Sequence, residues 1–518
     1  VKRTLADIGL ALGSGLLTAL AFPKFNLAFL AWISLIPLFD IIFRSSPKRS
    51  FWFGLLAGLS FYGLLLYWIP AVPAHYGGLS PAFSLLVDIV LVLFLSLFWG
   101  VGSLILSKVS GRWPLIGFLV APFIWVAQEY GVTTIFTGFP WGLLGYSQHA
   151  NLWLIQAATV AGVYGVSWIL IFFQSSFIFS YRRKQRTPFA VGLAVLVLAH
   201  TAGLISMGRP QPASDSFQAA VVQGNVSSDI AWDKVPASFV KGLFEKHLDL
   251  TRRAAKEGAQ LIIWPEFSVP LCFSCSDPLA LGFKHKLLNY VKQTGRTLLI
   301  GTIEVSIQEE KTEYYNTALG LQPDLPITEY HKMHLVPFGE YTPFPGLFGF
   351  VKHMTQAIGE VTPGLNTTLH SFGQLRFGSP ICYEIIFPDL VRRFVKNGAD
   401  FLVTITNDGW YGPTSAPHQH FAIAVFRAVE NRRFLLRAAT TGVSGIIDPW
   451  GRVVQKSKIM TAAFLTGTVT PRRGQTIYTR YGDVFAWVSL TLTLVAFILA
   501  FFLGTHDRQR KKTYRKIY

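Results

Sequence analysis

Leu261-Ile262-Ile263-Trp264-Pro265-Glu266 is a short apolar run that stops at a proline and delivers a carboxylate. So short a run reads as a strand buried on both faces, and proline ends it. Phe377-Gly378-Ser379-Pro380-Ile381 repeats the pattern and delivers Cys382. Outward from these, strands are predicted at Ser216–Gln223, Ala259–Ile263, Thr297–Gly301, Asn316–Gln322, Gln374–Ile381 and Phe401–Thr406. Between them, Ala237–Glu257 and Ala280–Gly295 have helical periodicity, and Asp389–Gly398 and Gln419–Ala439 also read as helices. Alternation of apolar strands with helices predicts an α/β sandwich. Catalytic groups in such folds sit just beyond strand C-terminal ends, where Glu266 and Cys382 fall. Lys332, in Tyr330-His331-Lys332-Met333-His334, follows a break in apolar character.

This domain occupies only part of the chain. Of the 518 residues, 14% are charged, against roughly 25% in a soluble domain. Mean hydropathy is +0.40, and there are 43 Phe and 14 Trp. Crossing about 30 Å of hydrocarbon takes roughly 20 apolar residues. Runs of that kind are read near 5–22, 25–43, 51–70, 82–106, 114–132, 152–180, 188–205 and 484–504. The first follows Lys2 and Arg3 but lacks a clear cleavage signal, so it is read as a retained helix rather than a signal peptide.

A formal net charge of +18 would suggest nucleic-acid binding in a soluble protein. Here many of the cations sit in clusters between apolar runs. With Lys2 and Arg3 in the cytoplasm, eight spans bring Arg44/Lys48/Arg49, Lys108/Arg112, Arg182/Arg183/Lys184/Arg186 and the basic tail to the same side. The opposite loops carry only Lys24. The expected organisation is a seven-helix transmembrane region at 1–205, an extracytoplasmic domain at 206–482, an eighth helix at 483–505 and a basic cytoplasmic tail at 506–518. A domain outside the cytoplasm has no ATP, so its chemistry should draw on energy stored in its substrate.

Ile263-Trp264-Pro265-Glu266, Lys332 leading into His334-Leu335-Val336-Pro337-Phe338-Gly339-Glu340, and Ile381-Cys382-Tyr383-Glu384 resemble the three signatures of the carbon–nitrogen hydrolase, or nitrilase, superfamily. With its flanking helices, nearly the whole chain is similar to the bacterial apolipoprotein N-acyltransferases. The resemblance implies a multi-span helical membrane domain joined to a nitrilase-like αββα sandwich. It implies Glu266 as general base, Lys332 as electrostatic stabiliser and Cys382 as nucleophile. Glu340 and Glu384 match supporting carboxylates, and Tyr383 lies beside the nucleophile. Trp232, Trp410 and Tyr411 match residues near the acyl chain or on loops over the site.

The implied reaction is ping-pong. A phospholipid such as phosphatidylethanolamine gives its sn-1 acyl chain to Cys382, and the thioester passes it to the α-amine of a diacylglyceryl-modified apolipoprotein. No cofactor is implied. The expected form is a monomer in the bacterial inner membrane, with the catalytic domain periplasmic and both termini cytoplasmic. Phe338, Tyr341, Phe344, Phe348 and Phe350 read either as a lipid-dipping entrance arm or as core packing.

Other readings remain open at this level. A membrane-anchored nitrilase-type amidase would use the same three residues with water as acceptor, and a transporter or scaffold would need none of them. Cys272 and Cys275 suit a local disulfide more than a redox motif, with a free pair or metal ligation as alternatives. His418 and His420 lack the acidic or cysteine partners of a metal site. Arg427, Glu430, Arg432, Arg433 and Arg437 suit either phosphate binding or internal ion pairs.

Overall fold

The computed structural model describes residues 2–76, 78–208, 215–227, 235–308, 311–324, 326–342, 346 and 360–517, with side chains to residue 502 apart from that of residue 308. The chain divides into two compact units, Val1–Tyr67 with Leu85–Arg209 and Tyr481–Tyr518, and Trp68–Ser84 with Pro210–Arg480.

The first unit is helical: α1 (Lys2–Leu20), α2 (Ile36–Arg44), α3 (Pro47–Leu65), α5 (Pro81–Arg112, after the short α4, Ala71–His75), α6 (Pro114–Thr134), α7 (Leu152–Ile155), α8 (Ala158–Arg183), α9 (Thr187–Gly208) and a last helix running from Val484 to Ile517. Among the described residues, α5, α6, α8, α9 and Val484–Phe502 are long and apolar enough to cross a membrane. Helices α1 and α3 are 19 residues each and fall outside that set.

The predicted second span needs correction. Residues 25–43 form a 3₁₀ turn at Ala28–Trp32 and then the nine-residue α2, which starts at Ile36-Pro37. Pro37 has no N–H and is tolerated only in a first turn, so one helix cannot run through it unbroken. Gln174 of α8 occupies the gap, accepting from Leu35 N at 2.8 Å and donating to Ala31 O at 3.0 Å. Hydrocarbon offers no water to a broken backbone, so a side chain must fill both roles. Expected span 152–180 is also interrupted, by the junction of α7 and α8 and by a kink at Ala161-Gly162.

The cation clusters meet at one end of this unit. Arg44 pairs with Asp7 at 2.5 Å and Asp40 at 2.9 Å, and Arg182 pairs with Asp40 at 2.8 Å. Arg49 donates to Thr4, Ser107 donates to Ser45 O, and Lys108 lies over the Phe501 ring.

The second unit holds two sheets. The first has the order β13-β1-β2-β4-β5-β6, with β3 beside β4. Its strands are β1 (Phe217–Gln223), β2 (Leu261–Ile263), β3 (Val269–Cys272), β4 (Thr297–Gln308), β5 (Lys311–Leu321), β6 (Thr328–His331) and β13 (Ala463–Val469). The second runs β12-β11-β10-β9-β8-β7: β7 (Leu369–Phe372), β8 (Leu375–Gly378), β9 (Phe401–Thr406), β10 (Leu435–Ala439), β11 (Gly445–Ile447) and β12 (Val453–Lys456). Strands β1, β2 and β4 are parallel, as are β8, β9 and β10.

The sheets pack face to face through Phe217, whose ring lies 5.2 Å from Phe401 and 4.6 Å from Phe372. Helices α10 (Ala237–Lys256) and α11 (Pro278–Thr294) cover the first sheet, where Phe244, Leu248, Phe283 and Leu287 join Trp264 and Ile262 in one core. Helices α12 (Pro388–Lys396) and α13 (Ala416–Asn431) cover the second, with Phe394 against Gly378 and Phe421 against Gly445. The result is the predicted αββα sandwich.

One predicted helix is partly a strand. Gln419–Ala439 reads as one helix, but α13 ends at Asn431 and Leu435–Ala439 is β10, paired in parallel with β9. Arg432 turns left-handed at φ 51° and breaks the helix. Every residue of β10 is buried, so no period-two alternation marks it as a strand.

Candidate active site

Each predicted catalytic residue stands where a strand gives out. Glu266 follows β2, Lys332 follows β6, and Cys382 follows β8 after a single bridge between Ile381 and Ile405. Both turns that present the reacting groups need unusual backbone. Phe267, next to Glu266, has φ 53°, and Cys382 itself has φ 51°. A non-glycine residue held there costs on the order of 1–3 kcal/mol and persists only where its surroundings impose it. Gly301 on β4 makes room for the first turn, since a Cβ there would lie 2.5 Å from Pro265 O and 2.6 Å from Glu266 Cα.

The three side chains meet in one buried cluster. Lys332 Nζ lies 2.8 Å from Glu340 Oε1 and 3.4 Å from Glu266 Oε1. The Cys382 thiol stands close enough to the Glu266 carboxylate to favour its charged form. Glu266 Oε2 accepts from the backbone N–H of Asn407 at 2.7 Å. Exposure is 3% for Glu266, 1% for Lys332 and 4% for Cys382, so these charges act on one another without water between them.

Electrostatics follow from that burial. Burial pushes the Glu266 carboxyl up, with Glu340 adding to the rise and Lys332 opposing it. Burial works against the Lys332 charge, but Glu340 and Glu266 outweigh it and hold the ammonium. Burial, then the neighbouring Glu266, pushes the Cys382 thiol up. Cys382 is therefore a neutral thiol with a carboxylate beside it. For such a thiol to attack a carbonyl its proton must leave, which is the task of a general base.

Glu340 and Glu384 hold the frame. Glu340 Oε2 accepts from Val336 N at 2.8 Å. Glu384 Oε1 accepts from Tyr330 Oη, Met333 N and His334 N at 2.7, 2.7 and 3.0 Å, and Oε2 accepts from Ile381 N at 2.7 Å. This carboxylate ties the lysine loop to the cysteine turn, and burial pushes its pKa up to about 7. Tyr383 is buried and packs edge-on against Phe387. Trp410 and Tyr411 lie on a short 3₁₀ turn, Asp408–Tyr411, just after β9.

Two features escape sequence reading. Asn316 on β5 donates through Nδ2 to Glu266 Oε1 at 2.7 Å and to Glu340 Oε1 at 2.9 Å, bridging the two carboxylates around the lysine. Its signal in the sequence is slight: an amide at the start of a buried stretch of strand. Beneath the cysteine lies a wholly buried network in which Asp408 Oδ2 accepts from Arg437 Nη2 at 2.7 Å and Oδ1 meets His420 Nδ1 at 2.9 Å. Burial opposes the Asp408 charge, yet Arg437 and His420 hold it well below the usual carboxylate range. Gly442 belongs to this network, because a Cβ there would lie 2.5 Å from Asp408 Cβ.

Other expectations resolve as follows. Arg427 pairs with Glu430 at 3.1 Å and Arg437 with Asp408, both internally, which takes these two away from phosphate binding. Cys272 and Cys275 form a disulfide, and Glu304 anchors its loop through Phe273 N and Ser274 N. Trp232, Phe344, Phe348 and Phe350 lie outside the described residues.

Residues 218–478 match the family model described as carbon-nitrogen hydrolase, and residues 14–176 match the apolipoprotein N-acyltransferase N-terminal domain. Among curated proteins, the apolipoprotein N-acyltransferase of Geobacter metallireducens is 36% identical over 96% of this chain and 95% of its own. That of Methylococcus capsulatus is 34% identical over 92% of each chain. Among solved structures, Saccharomyces cerevisiae Nit3, of branch 10 of the nitrilase superfamily, is 20% identical, covering 51% of this chain and 93% of its own at a TM-score of 0.38. A mutant amidase from Nesterenkonia sp. AN1 is 19% identical, covering 52% and 98%, also at 0.38.

Proposed function

The chain belongs to the apolipoprotein N-acyltransferase family, and on that premise we propose how its residues move an acyl chain. The enzyme is a membrane-embedded N-acyltransferase whose substrates are phospholipids and lipoproteins. The finer reading assigns Cys382 as nucleophile, Glu266 as general base and acid, and Lys332 as the cation facing the oxyanion. The observation that carries it is the burial of Cys382, Glu266 and Lys332 together at three strand ends, with Lys332 Nζ 3.4 Å from the Glu266 carboxylate.

In the first half-reaction Glu266 takes the thiol proton as sulfur attacks the sn-1 ester carbonyl of phosphatidylethanolamine or a similar phospholipid. Lys332 and the backbone N–H of Tyr383 receive the negative oxygen; one such donor is worth about 2.7–4 kcal/mol in the transition state. The C–O bond breaks, and Glu266 returns the proton to the leaving alkoxide, which departs as lysophospholipid. In the second, the α-amine of an S-diacylglyceryl-cysteine attacks the thioester. Glu266 takes the amine proton, the C–S bond breaks, and the proton passes to the thiolate. Ester to thioester to amide runs downhill without a nucleotide.

Asn316 and Glu340 keep Glu266 and Lys332 in register, and Glu384 keeps both loops in place. Tyr383, Trp410 and Tyr411 are assigned to the acyl-binding surroundings. One chain carries every assigned group, in keeping with a monomer. The proposed organisation remains a membrane region to 205, a catalytic domain at 206–482, an eighth helix at 483–505 and a cytoplasmic tail from 506. The shared location of the Arg44, Arg49, Lys108 and Arg182 ends supports a periplasmic catalytic domain with both termini cytoplasmic.

The test incubates purified protein with acyl-labelled phosphatidylethanolamine and looks by mass spectrometry for a thioester on Cys382, then adds a diacylated lipopeptide. Labelled enzyme that passes its acyl chain to the peptide amine is expected. Full turnover by Cys382→Ser would sink the assignment, and discharge to water alone would favour the amidase reading.

A further inference from the structure

Residues Trp68–Ser84 follow α3 in the chain, yet they fold with the catalytic unit rather than with the helices on either side. What they touch there is the turn bearing Trp410 and Tyr411. Trp68 meets Tyr411 edge to face at 4.9 Å, and Tyr76 meets Trp410 edge to face at 4.7 Å. Hydrogen bonds fix both rings: Trp68 Nε1 donates to Gln419 Oε1 at 3.3 Å, and Tyr76 Oη donates to Gly409 O at 3.1 Å. The short helix α4 holds the rings apart so that each reaches its own partner.

The turn they grip starts in a buried network and ends at a glycine, with Thr414 Oγ1 donating to Tyr411 O at 2.8 Å. Asp408 is anchored by Arg437, His420 and Thr406 in the buried network beside the nucleophile. At the other end Gly412, at φ 56°, leaves the turn in a backbone conformation that favours glycine. Between these ends, Trp410 and Tyr411 are only half-buried. The Tyr411 ring stands edge to face with His420 at 6.3 Å, against the buried network beside Cys382.

We infer that Trp68 and Tyr76 form a latch that keeps the Trp410-Tyr411 turn closed over the Cys382 acyl-thioester and so keeps water from it. The inference rests on the acyl-transfer reading above and adds to it what selects the acceptor. Water attack would form a C–O bond, break the C–S bond, pass one water proton through Glu266 to the sulfur, and release a free fatty acid. Amine attack breaks the same bond and moves a proton along the same path, but forms an amide. Glu266 and Lys332 serve both equally, so the triad alone cannot favour the lipoprotein. A closed site that expels water protects a reactive intermediate from hydrolysis. The aromatic latch closes this site by rings and hydrogen bonds that belong to neither reacting group.

The test uses the full-length protein in micelles with acyl-labelled phosphatidylethanolamine, comparing wild type with Trp68→Ala/Tyr76→Ala and Tyr76→Phe. Three quantities are read: the rate of thioester formation on Cys382, the rate of fatty-acid release without acceptor, and the amide-to-fatty-acid ratio with a diacylated lipopeptide. The double variant is expected to form the thioester within about threefold of wild type while releasing fatty acid at least about tenfold faster, as follows from losing two ring pairs and two hydrogen bonds. Tyr76→Phe keeps its ring and should fall between the two. Unchanged hydrolysis would overturn the latch, and so would an equal loss of formation and discharge in Tyr76→Phe, which marks a merely structural contact. Absence of any thioester in the wild type would instead strike the acyl-transfer reading itself.

Discussion

At the residue scale, Glu266 and Cys382 were legible as candidates because each comes at the end of an apolar run. Glu266 and Cys382 each close a buried strand, and that position is visible in one dimension. Asn316 was not visible, because its role comes from the antiparallel pairing of β5 with β4 and β6, which places its amide between two carboxylates that lie apart in the chain. The same crowding yields a pH prediction. As the base proposed above, Glu266 must be ionised, and its carboxyl is raised first by burial and then by the Glu340 charge. The acid limb of thioester formation should therefore fall above the ordinary glutamate value of 4.5. Glu340→Gln removes the like charge and leaves Lys332 to Glu266 alone, and both changes favour the ionised base. Its acid limb should move to lower pH even as the maximal rate falls. A limb that stays in place or moves up, in rates measured across pH, would refute this charge assignment.

At the element scale, sequence pattern identified most strands and helices but failed wherever burial is complete or backbone is broken. β10 has no alternation to read because both its faces are covered. The 25–43 stretch is apolar enough to pass for one helix, since composition does not register the lost hydrogen bonds of a break. Those bonds are supplied by a residue of another element, Gln174, and no local pattern announces that pairing. Gln174 is 0% exposed, so Gln174→Leu fits a similar volume while leaving Leu35 N and Ala31 O without their partner. An unsatisfied buried polar group costs about 1–3 kcal/mol. The variant should unfold at clearly lower temperature in detergent, with the Cys382 thioester still forming in the protein that remains folded. Equal melting temperatures for wild type and Gln174→Leu would mean the break is stabilised elsewhere.

At the scale of the whole molecule, charge placement was readable and the place of residues 68–84 was not. Cation clusters are local in sequence and respond to one field, so counting spans sorts them. The assignment of residues 68–84 to the catalytic unit depends on rings that meet across most of the chain, and nothing local signals it. Orientation is the prediction that belongs here. Asp40 joins Arg44 to Arg182, Arg49 reaches Thr4, and Ser107 reaches Ser45, so the ends of α2, α5 and α8 and the start of α1 gather together. Four basic ends in one place have a strong preference for the cytoplasm, because the positive-inside bias counts lysine and arginine in short loops near helix ends. Helix α9 starts beside Arg186 and extends to Gly208, long and apolar enough to carry the chain across to the far side. Alkaline phosphatase fused after residue 300 should therefore be active in cells, and a fluorescent protein fused after residue 518 should fluoresce. An odd number of crossings before residue 206 is what both outcomes require, and neither depends on whether 25–43 crosses as one helix or as two broken pieces. A single re-entrant segment in its place would leave six crossings, silence the phosphatase fusion and put the thioester chemistry on the ATP-bearing side.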